Sequence, residues 1–347
     1  MPTFDPKLSL HGDAAMYQWG AHPLTDGSVA YLQPNGGLGE SNVGLVVGDG
    51  ASCVIDTCWD PTQARRMLAE FDPWLADNPI TTVVNTHSNG DHWWGNSLMP
   101  DEAVIVTSKA SLGAMRDESP LALTAMRASL GLACRLPLPG RWGRTTRQGN
   151  HEFAPFDFAS VRRRFPDTTF TGRTELNVGG RVLELREVGP AHTAGDLMVF
   201  DHGSGVVFGG DILFIDQTPI MWEGPAQNWV AALEQIITFG PTCIVPGHGP
   251  LATLGQVESL RTYFQWLAER AEHFHAKGES AQDATLDMLR SEEFATSNWA
   301  TWRRPEVLVA GVGAEYRRLD GKTGSPNQFA MANTMIAIRS VAEALAR

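Results

Sequence analysis

The segment Val83-Val84-Asn85-Thr86-His87-Ser88-Asn89-Gly90-Asp91-His92 limits what this chain can fold into more than any other. It begins as an apolar, β-branched run and then offers His87, Asp91 and His92, with a glycine among them. Side chains alternate faces along a strand, so a strand ending at Thr86 releases His87 into a loop. The turn at Gly90 brings Asp91 and His92 back toward the same point. Imidazoles and a carboxylate converging on a strand end are the donors that zinc prefers.

Three further candidates stand in the same local setting. His192 follows the alternating run Arg181-Val182-Leu183-Glu184-Leu185-Arg186 by way of Val188-Gly189-Pro190-Ala191. Asp211 closes Val206-Val207-Phe208-Gly209-Gly210, and His248 closes Cys243-Ile244-Val245-Pro246-Gly247. Glycine lets a backbone pack closely, or take positive φ, beside a bound ion. Strand ends that each present a donor point to one metal site rather than to separate coincidences.

Composition narrows the function classes. At 347 residues and 43% hydrophobic, the chain can bury a large core. A net charge of −12 argues against a nucleic-acid partner, because no basic stripe is available to release counterions. Arg162-Arg163-Arg164, the densest basic run, sits beside Asp157 and Asp167 and reads as a solvated helix face. Cys53, Cys58, Cys134 and Cys243 show no CxxC spacing and read as reduced, mostly buried thiols. Met1-Pro2-Thr3-Phe4-Asp5-Pro6 is neither a basic nor an apolar leader. No segment approaches about eighteen unbroken apolar residues. A cytoplasmic protein with no membrane partner is the expectation.

Along the chain, Val29-Ala30-Tyr31-Leu32 and Val43-Gly44-Leu45-Val46-Val47 read as strands, and Asp49-Gly50 as a tight hairpin into Cys53-Val54-Ile55-Asp56. Asp60 caps a helix with Pro61 in its first turn, and Met67, Leu68, Phe71 and Leu75 recur at helical spacing. Strand, helix and strand then lead to His87, an α/β pattern. Residues from about 108 to 171 interrupt the rhythm with helical stretches and a Pro/Gly-rich passage, Leu136 to Gly143. Such an insertion serves as a lid or as a packing and oligomer surface. After Asp211 a helix is expected with Asn228 as its cap. From Gln256 a long amphipathic helix begins, with others from Ser280, Pro305 and Asn327. This divides the chain into a catalytic domain over 1–255 and a helical extension over 256–347, whose role is more structural than lid-like.

These residues, in this order, resemble the metallo-β-lactamase fold superfamily of metal-dependent hydrolases over roughly residues 28–249. The resemblance rests on Val54-Ile55-Asp56-Thr57, the His87-x-x-x-Asp91-His92 core, and the later His192, Asp211 and His248. It implies an α/β protein, a four-layer αββα sandwich with metals at one edge of two packed sheets. One metal would take His87, residue 89 and His192. The other would take Asp91, His92 and His248, with Asp211 bridging. The family usually has a second histidine where Asn89 stands, and a carboxamide is the weaker donor. The reading is therefore one tightly held zinc on Asp91, His92, Asp211 and His248, with a second metal optional. A hydrolytic dehalogenase branch acting on chlorinated aromatics is similar in having a reduced ligand set.

The chemistry expected is hydrolysis by water that a metal has acidified, with Asp91 positioning or deprotonating it. A small ester, lactone or thioester is the first choice of substrate. Dehalogenation, or iron-dependent redox chemistry as in sulfur-dioxygenase relatives, is the alternative. No G-x-S-x-G elbow is present, and Gly203-Ser204-Gly205 reads as a hairpin turn. Asp56, Asn85 and Thr86 are candidates for orienting the ligands, and Asp196 for a local cap. Trp93, Trp94, Trp222 and Trp229 flank the donors, some as core and some as walls of an apolar pocket. His11, His22, His151 and His202 read as surface or hydrogen-bonding residues. His273 and His275, two apart on a helix, diverge. A homodimer is the expected assembly.

Overall fold

Two twisted sheets share one apolar interior, and the sequence alternation of part of the chain shows why. The computed structural model describes residues 5–322, 326 and 328–346. Strands β1 (Gly20–Pro23), β2 (Ser28–Leu32), β3 (Val43–Val47) and β4 (Ser52–Ile55) run antiparallel to one another. Helix α1 (Pro61–Leu75) then carries the chain to β5 (Ile80–Val84), parallel to β4, and β6 (Val104–Ser108) follows, parallel to β5. The inserted helices α2 (Lys109–Met115), α3 (Pro120–Ala133) and α4 (Gly140–Phe153) precede β7 (Thr168–Phe170), which completes the first sheet in the order β1-β2-β3-β4-β5-β6-β7. The second sheet contains β8 (Arg173–Val178), β9 (Arg181–Glu187), β10 (Leu197–Asp201), β11 (Val206–Phe208) and, after α5 (Ala226–Phe239), β12 (Cys243–Val245). Its order is β12-β11-β10-β9-β8.

The period of two sorts the side chains into layers. Ala30, Leu32, Val46, Ile55, Val84 and Val106 face inward and meet Leu183, Leu185, Val199, Val206 and Phe208 of the other sheet. Their neighbours Tyr31, Leu45, Val54, Val83 and Ile105 face outward, against Met67 and Phe71 of α1. On the far side Met198, Phe200, Val207 and Ile244 face outward against Trp229, Leu233 and Ile236 of α5. The result is the αββα sandwich. Gly44 lies where the sheets come closest, since a Cβ there would stand 2.4 Å from the Phe208 ring.

Several boundaries are set by local chemistry. The Asp60 carboxylate accepts the Thr62 and Gln63 amides at 2.7 and 2.9 Å, so it caps α1 as its sequence predicts. Its other oxygen accepts the Asp157 amide at 2.8 Å and ties the insertion to the core. Helix α5 starts at Ala226, earlier than an Asn228 cap would give, and the Asn228 carboxamide donates instead to Pro190 O. The Arg162–Arg164 run lies outside any helix or strand and is not a helix face. The Arg164 guanidinium donates to the carbonyls of Met99, Pro100, Asp101 and Ala103, closing the turn after the donor loop.

The C-terminal helices are α6 (Leu254–Ala276), α7 (Ala281–Arg290), α8 (Glu292–Ala295), α9 (Leu308–Leu319) and α10 (Gln328–Leu345). The expected start at Asn327 lies outside the described residues. Thr253 and Gln256 form a capping box that opens α6 two residues ahead of Gln256. Val257, Leu260, Phe264 and Leu267 of α6 enter the same core as α5, with Phe264 stacked on Trp229 at 4.2 Å between centroids. These helices thus cover the outer face of the second sheet. No described helix is long and apolar enough to cross a membrane.

A buried carboxylate joins α9 to α5. Glu315 accepts the Ala226 amide at 2.7 Å, an orphan donor of the first turn of α5 that no side-chain cap otherwise satisfies, and takes Arg318 Nε at 2.7 Å. Glu315→Ala is expected to lower unfolding stability by roughly 1–3 kcal/mol, read from the midpoint of urea unfolding. An unshifted midpoint would show that this tie contributes nothing.

Candidate metal centre

The donors meet because four strand ends open on the same edge of the sandwich. Strands β4 and β5 are parallel, so Asp56 and the Asn85–His92 loop leave together. The β9–β10 turn carries His192, and the parallel strands β11 and β12 release Asp211 and His248 at that same edge. A Cβ at Gly247 would fall 2.0 Å from Asp211 Oδ1, so only glycine lets this carboxylate lie across the loop.

Six side chains come together: His87, Asp91, His92, His192, Asp211 and His248. All are buried. Around Asp211, its Oδ1 lies 3.2 Å from His92 Nε2, and its Oδ2 lies 3.2, 3.5 and 3.6 Å from Nε2 of His192, His248 and His87. Asp91 Oδ2 lies 3.4 Å from His248 Nε2 and 3.7 Å from His92 Nε2. Four donors arranged tetrahedrally at zinc bond lengths stand about 3.3–3.6 Å apart. Two sets of three present one donor atom each within 4.8 Å of one another, His87 with His92 and Asp211, and Asp91 with His92 and His248.

The ring orientations are fixed from behind. His92 Nδ1 lies 2.8 Å from Asp56 Oδ2, and His192 Nδ1 lies 2.7 Å from Ile220 O. Thr86 Oγ1 donates to Asp56 at 2.7 Å, so its oxygen is left to accept from His87 Nδ1 at 3.0 Å. With Nδ1 protonated and bound, each of these rings turns an Nε2 lone pair toward the cluster. Those three Nε2 atoms, and Asp211 Oδ1, are buried without a hydrogen-bond partner. Orphaned buried polar atoms are rare, and four aimed at one place fit a cation.

The local charges agree. Burial works against charge on His92, but Asp211, Asp56 and Asp91 raise it well above the ordinary histidine range. Burial likewise opposes His248, yet Asp211 and Asp91 push it up to about 9. Burial and the His92 charge drive His87 well below the usual value. For Asp211 burial is outweighed by the surrounding histidines, which hold it well below the usual carboxylate range, and His92 and His248 similarly outweigh burial and lower Asp91. A divalent cation takes over the role of these protons, so binding one releases them.

The backbone of the loop is clamped. Ser41 Oγ donates to Asp91 O at 2.6 Å, and Thr57 N donates to His92 O at 2.9 Å. The Asn85 carboxamide also donates to His92 O, from Nδ2 at 3.2 Å. Asp56 holds a φ of 67°, a left-handed conformation kept in place by its three hydrogen bonds from Thr86 and His92. Asp196 accepts the Thr193 amide and hydroxyl, the local cap expected of it. Asn89 stands half-buried, its carbonyl accepting the His92 amide at 3.0 Å. Among the described residues, no hydrogen bond of the cluster runs through its carboxamide. Asn89→His is therefore expected to raise metal content toward two ions per chain, measured by elemental analysis. Unchanged stoichiometry would remove this account of the second position.

Not every flanking residue serves the site. Trp93, Trp94 and Trp229 are fully buried and pack into the core, so they are not pocket walls, and of the four only Trp222 is half-buried. Glu118, between α2 and α3, is a residue that no motif marks. Its carboxyl faces the Gly90 amide and the Trp93 indole, and burial together with the Asp91 charge pushes it up to about 8. The C-terminal helices also reach the site from outside. Trp222 N donates to His192 O at 3.2 Å, and Arg317 of α9 donates to Trp222 O.

An αββα sandwich with histidines and aspartates gathered at one sheet edge is a two-sheet hydrolase architecture. The family model of the metallo-β-lactamase superfamily matches residues 36–248, and the chain belongs to that superfamily of hydrolases. No curated relative matches at a significant level. Among solved structures, the stereoselective inverting sec-alkylsulfatase Pisa1 from Pseudomonas sp. is similar at 16% identity and a TM-score of 0.66. That match covers 87% of this chain and 50% of the alkylsulfatase, so the chain spans about half the length of that protein. A metallo-β-lactamase from Pontibacter korlensis is similar at 18% identity and a TM-score of 0.50, over 72% of this chain and 99% of that one.

Proposed function

We propose that this protein is a zinc-dependent hydrolase of a small ester, lactone or thioester. What carries the reading is the pair of donor groups, Asp91, His92 and His248 beside His87, His92 and Asp211, with the Nε2 atoms of His87, His92 and His192 and Asp211 Oδ1 buried and partnerless among them. Asp91, His92, Asp211 and His248 would hold one zinc tightly, and His87 and His192 would share Asp211 with a weaker second ion. When bound, zinc supplies Lewis acidity and brings the pKa of water to about 7.

The chain's own part is to aim and to accept a proton. Asp91 has the most exposed side chain of the six, 12% against 6% or less for the others. It therefore stands on the side from which water and substrate arrive. Held ionised by His92 and His248, which Oδ2 faces, it can take a proton from water at its other oxygen, Oδ1. Asp56 and Thr86 keep His92 and His87 from rotating while it does so.

The test is elemental analysis of protein purified without added metal, with turnover of an ester, lactone, thioester and sulfate-ester panel before and after chelation. About one zinc per chain, and hydrolysis lost with it, is the expected result. Iron with oxygen consumption, or hydrolysis indifferent to chelation, would overturn the reading. The reduced donor set at Asn89 favours one second reading, hydrolytic dehalogenation of an activated aromatic ring. Halide release from chlorinated aromatics would select it.

A further inference from the structure

The outer side of α3 is a helix face whose composition contradicts its exposure. Leu121 and Leu132 are 78% and 64% exposed, and Leu136 just beyond the helix is 56% exposed. Ala125 and Ala128 between them are exposed as well. Leu121 and Leu132 lie about three turns apart on one side of the helix. The opposite side is used: Leu123 packs on the aromatic cluster of Trp59, Trp94, Phe156 and Phe158, and Leu130 lies against Gly149 of α4. In a chain of net charge −12 the outer stripe carries no charged side chain.

The spacing of that stripe names its occupant. Leu121, Ala125, Ala128 and Leu132 read the same from either end, with large residues outside and small ones at the centre. Turned antiparallel about a two-fold axis between residues 126 and 127, the stripe matches itself. Leu121 then meets Leu132 of the second copy, and Ala125 meets Ala128, which is the reciprocal contact a two-fold interface requires. The seam alternates steps of four and three, the spacing at which paired helices interlock. The same rotation brings exposed Asp117, before the helix, near exposed Arg135 of the other copy, after it. The antiparallel helix dipoles agree with this arrangement.

We propose that α3 pairs antiparallel with α3 of a second copy of this chain, forming a reversible two-fold dimer through the inserted helices. A helix pair covers less than the about 1,600 Å² of a standard stable interface. The dimer is therefore reversible, with a dissociation constant of roughly micromolar order.

Sedimentation equilibrium of the full chain over about 1–100 μM is expected to show monomer passing to dimer. Leu121→Glu combined with Leu132→Glu is expected to weaken the dimer by at least about tenfold. Both sites are exposed and glutamate is a good helix former, so the far-UV spectrum and melting temperature should stay unchanged. Ala125→Cys chains mixed with Ala128→Cys chains are expected to cross-link faster than either variant alone, which reads the antiparallel register. A monomer at every concentration, a dimer indifferent to the two glutamates, or cross-linking no faster in the mixture would overturn the proposal. Leucine-dependent flotation of a monomer with phosphatidylcholine vesicles would also overturn it and assign the face to lipid. None of these readings depends on turnover, so the metal-centre reading stands or falls separately.

Discussion

Asp91→Ala protein is expected to fold normally and to lose turnover by about 10²- to 10⁴-fold. The loop around it does not depend on the carboxylate. Ser41 holds the Asp91 carbonyl, Thr57 and Asn85 hold the His92 carbonyl, and Asn89 O holds the His92 amide. Among the described residues, the side chain itself reaches only His92 and His248 within ion-pair distance. Its removal leaves His92, Asp211 and His248 as donors, so zinc should be retained at reduced affinity. That separates the two consequences. A variant that keeps about one zinc and an unshifted melting curve while kcat collapses places the loss in proton handling. Near-native kcat would remove Asp91 from the role proposed for it.

What could be read from the sequence follows from the range of the forces involved. The period of two along β2 to β6 and the Asp60–Pro61 helix start are local rules, and the folded chain obeys them. The donors were visible because each follows an apolar run ended by a turn or by glycine, and the fold brings those ends to one edge. Asp56 could be suspected only through the family resemblance carried by Val54-Ile55-Asp56-Thr57. Its bond to His92 spans thirty-six positions.

The rest depended on contacts no local pattern encodes. Asn228 has the side chain of a cap, but Pro190 O takes its amide and α5 starts at Ala226 under Glu315. Arg162-Arg163-Arg164 looked like a solvated face because sequence does not reveal that four carbonyls of residues 99–103 await one guanidinium. Trp93 and Trp94 follow the donors in sequence yet turn away into a cluster completed by Phe156 and Phe158, more than sixty positions later. Glu118 reaches Gly90 only because the inserted helices fold back over the loop. In each case the partner comes from a distant segment, and the choice is made by packing.

Asp56→Asn tests how far that distant support governs the metal. The carboxylate accepts three donors: Thr86 N at 2.8 Å, Thr86 Oγ1 at 2.7 Å and His92 Nδ1 at 2.8 Å. Burial raises its pKa, and the His92 charge beside it resists that rise. Asparagine tolerates the φ of 67°, so the backbone should hold. Its carboxamide, however, has one acceptor oxygen and an NH₂ that must face one of those donors. If the NH₂ faces His92 Nδ1, the ring is driven to carry its proton on Nε2, where the metal needs a lone pair. If it takes the Oδ1 place, it faces the Thr86 amide, which loses its acceptor, while the oxygen in the Oδ2 place keeps Thr86 Oγ1 and His92 Nδ1. The first arrangement disables the His92 imidazole, and loss of such support lowers metal affinity by about 10–100-fold; the second orphans a buried backbone N–H and lowers stability by about 1–3 kcal/mol instead. Competition with a chromophoric chelator measures this directly. Unchanged zinc affinity with an unshifted melting temperature would mean that the rings are held by packing alone, and that the hydrogen bonds behind them do not tune the site.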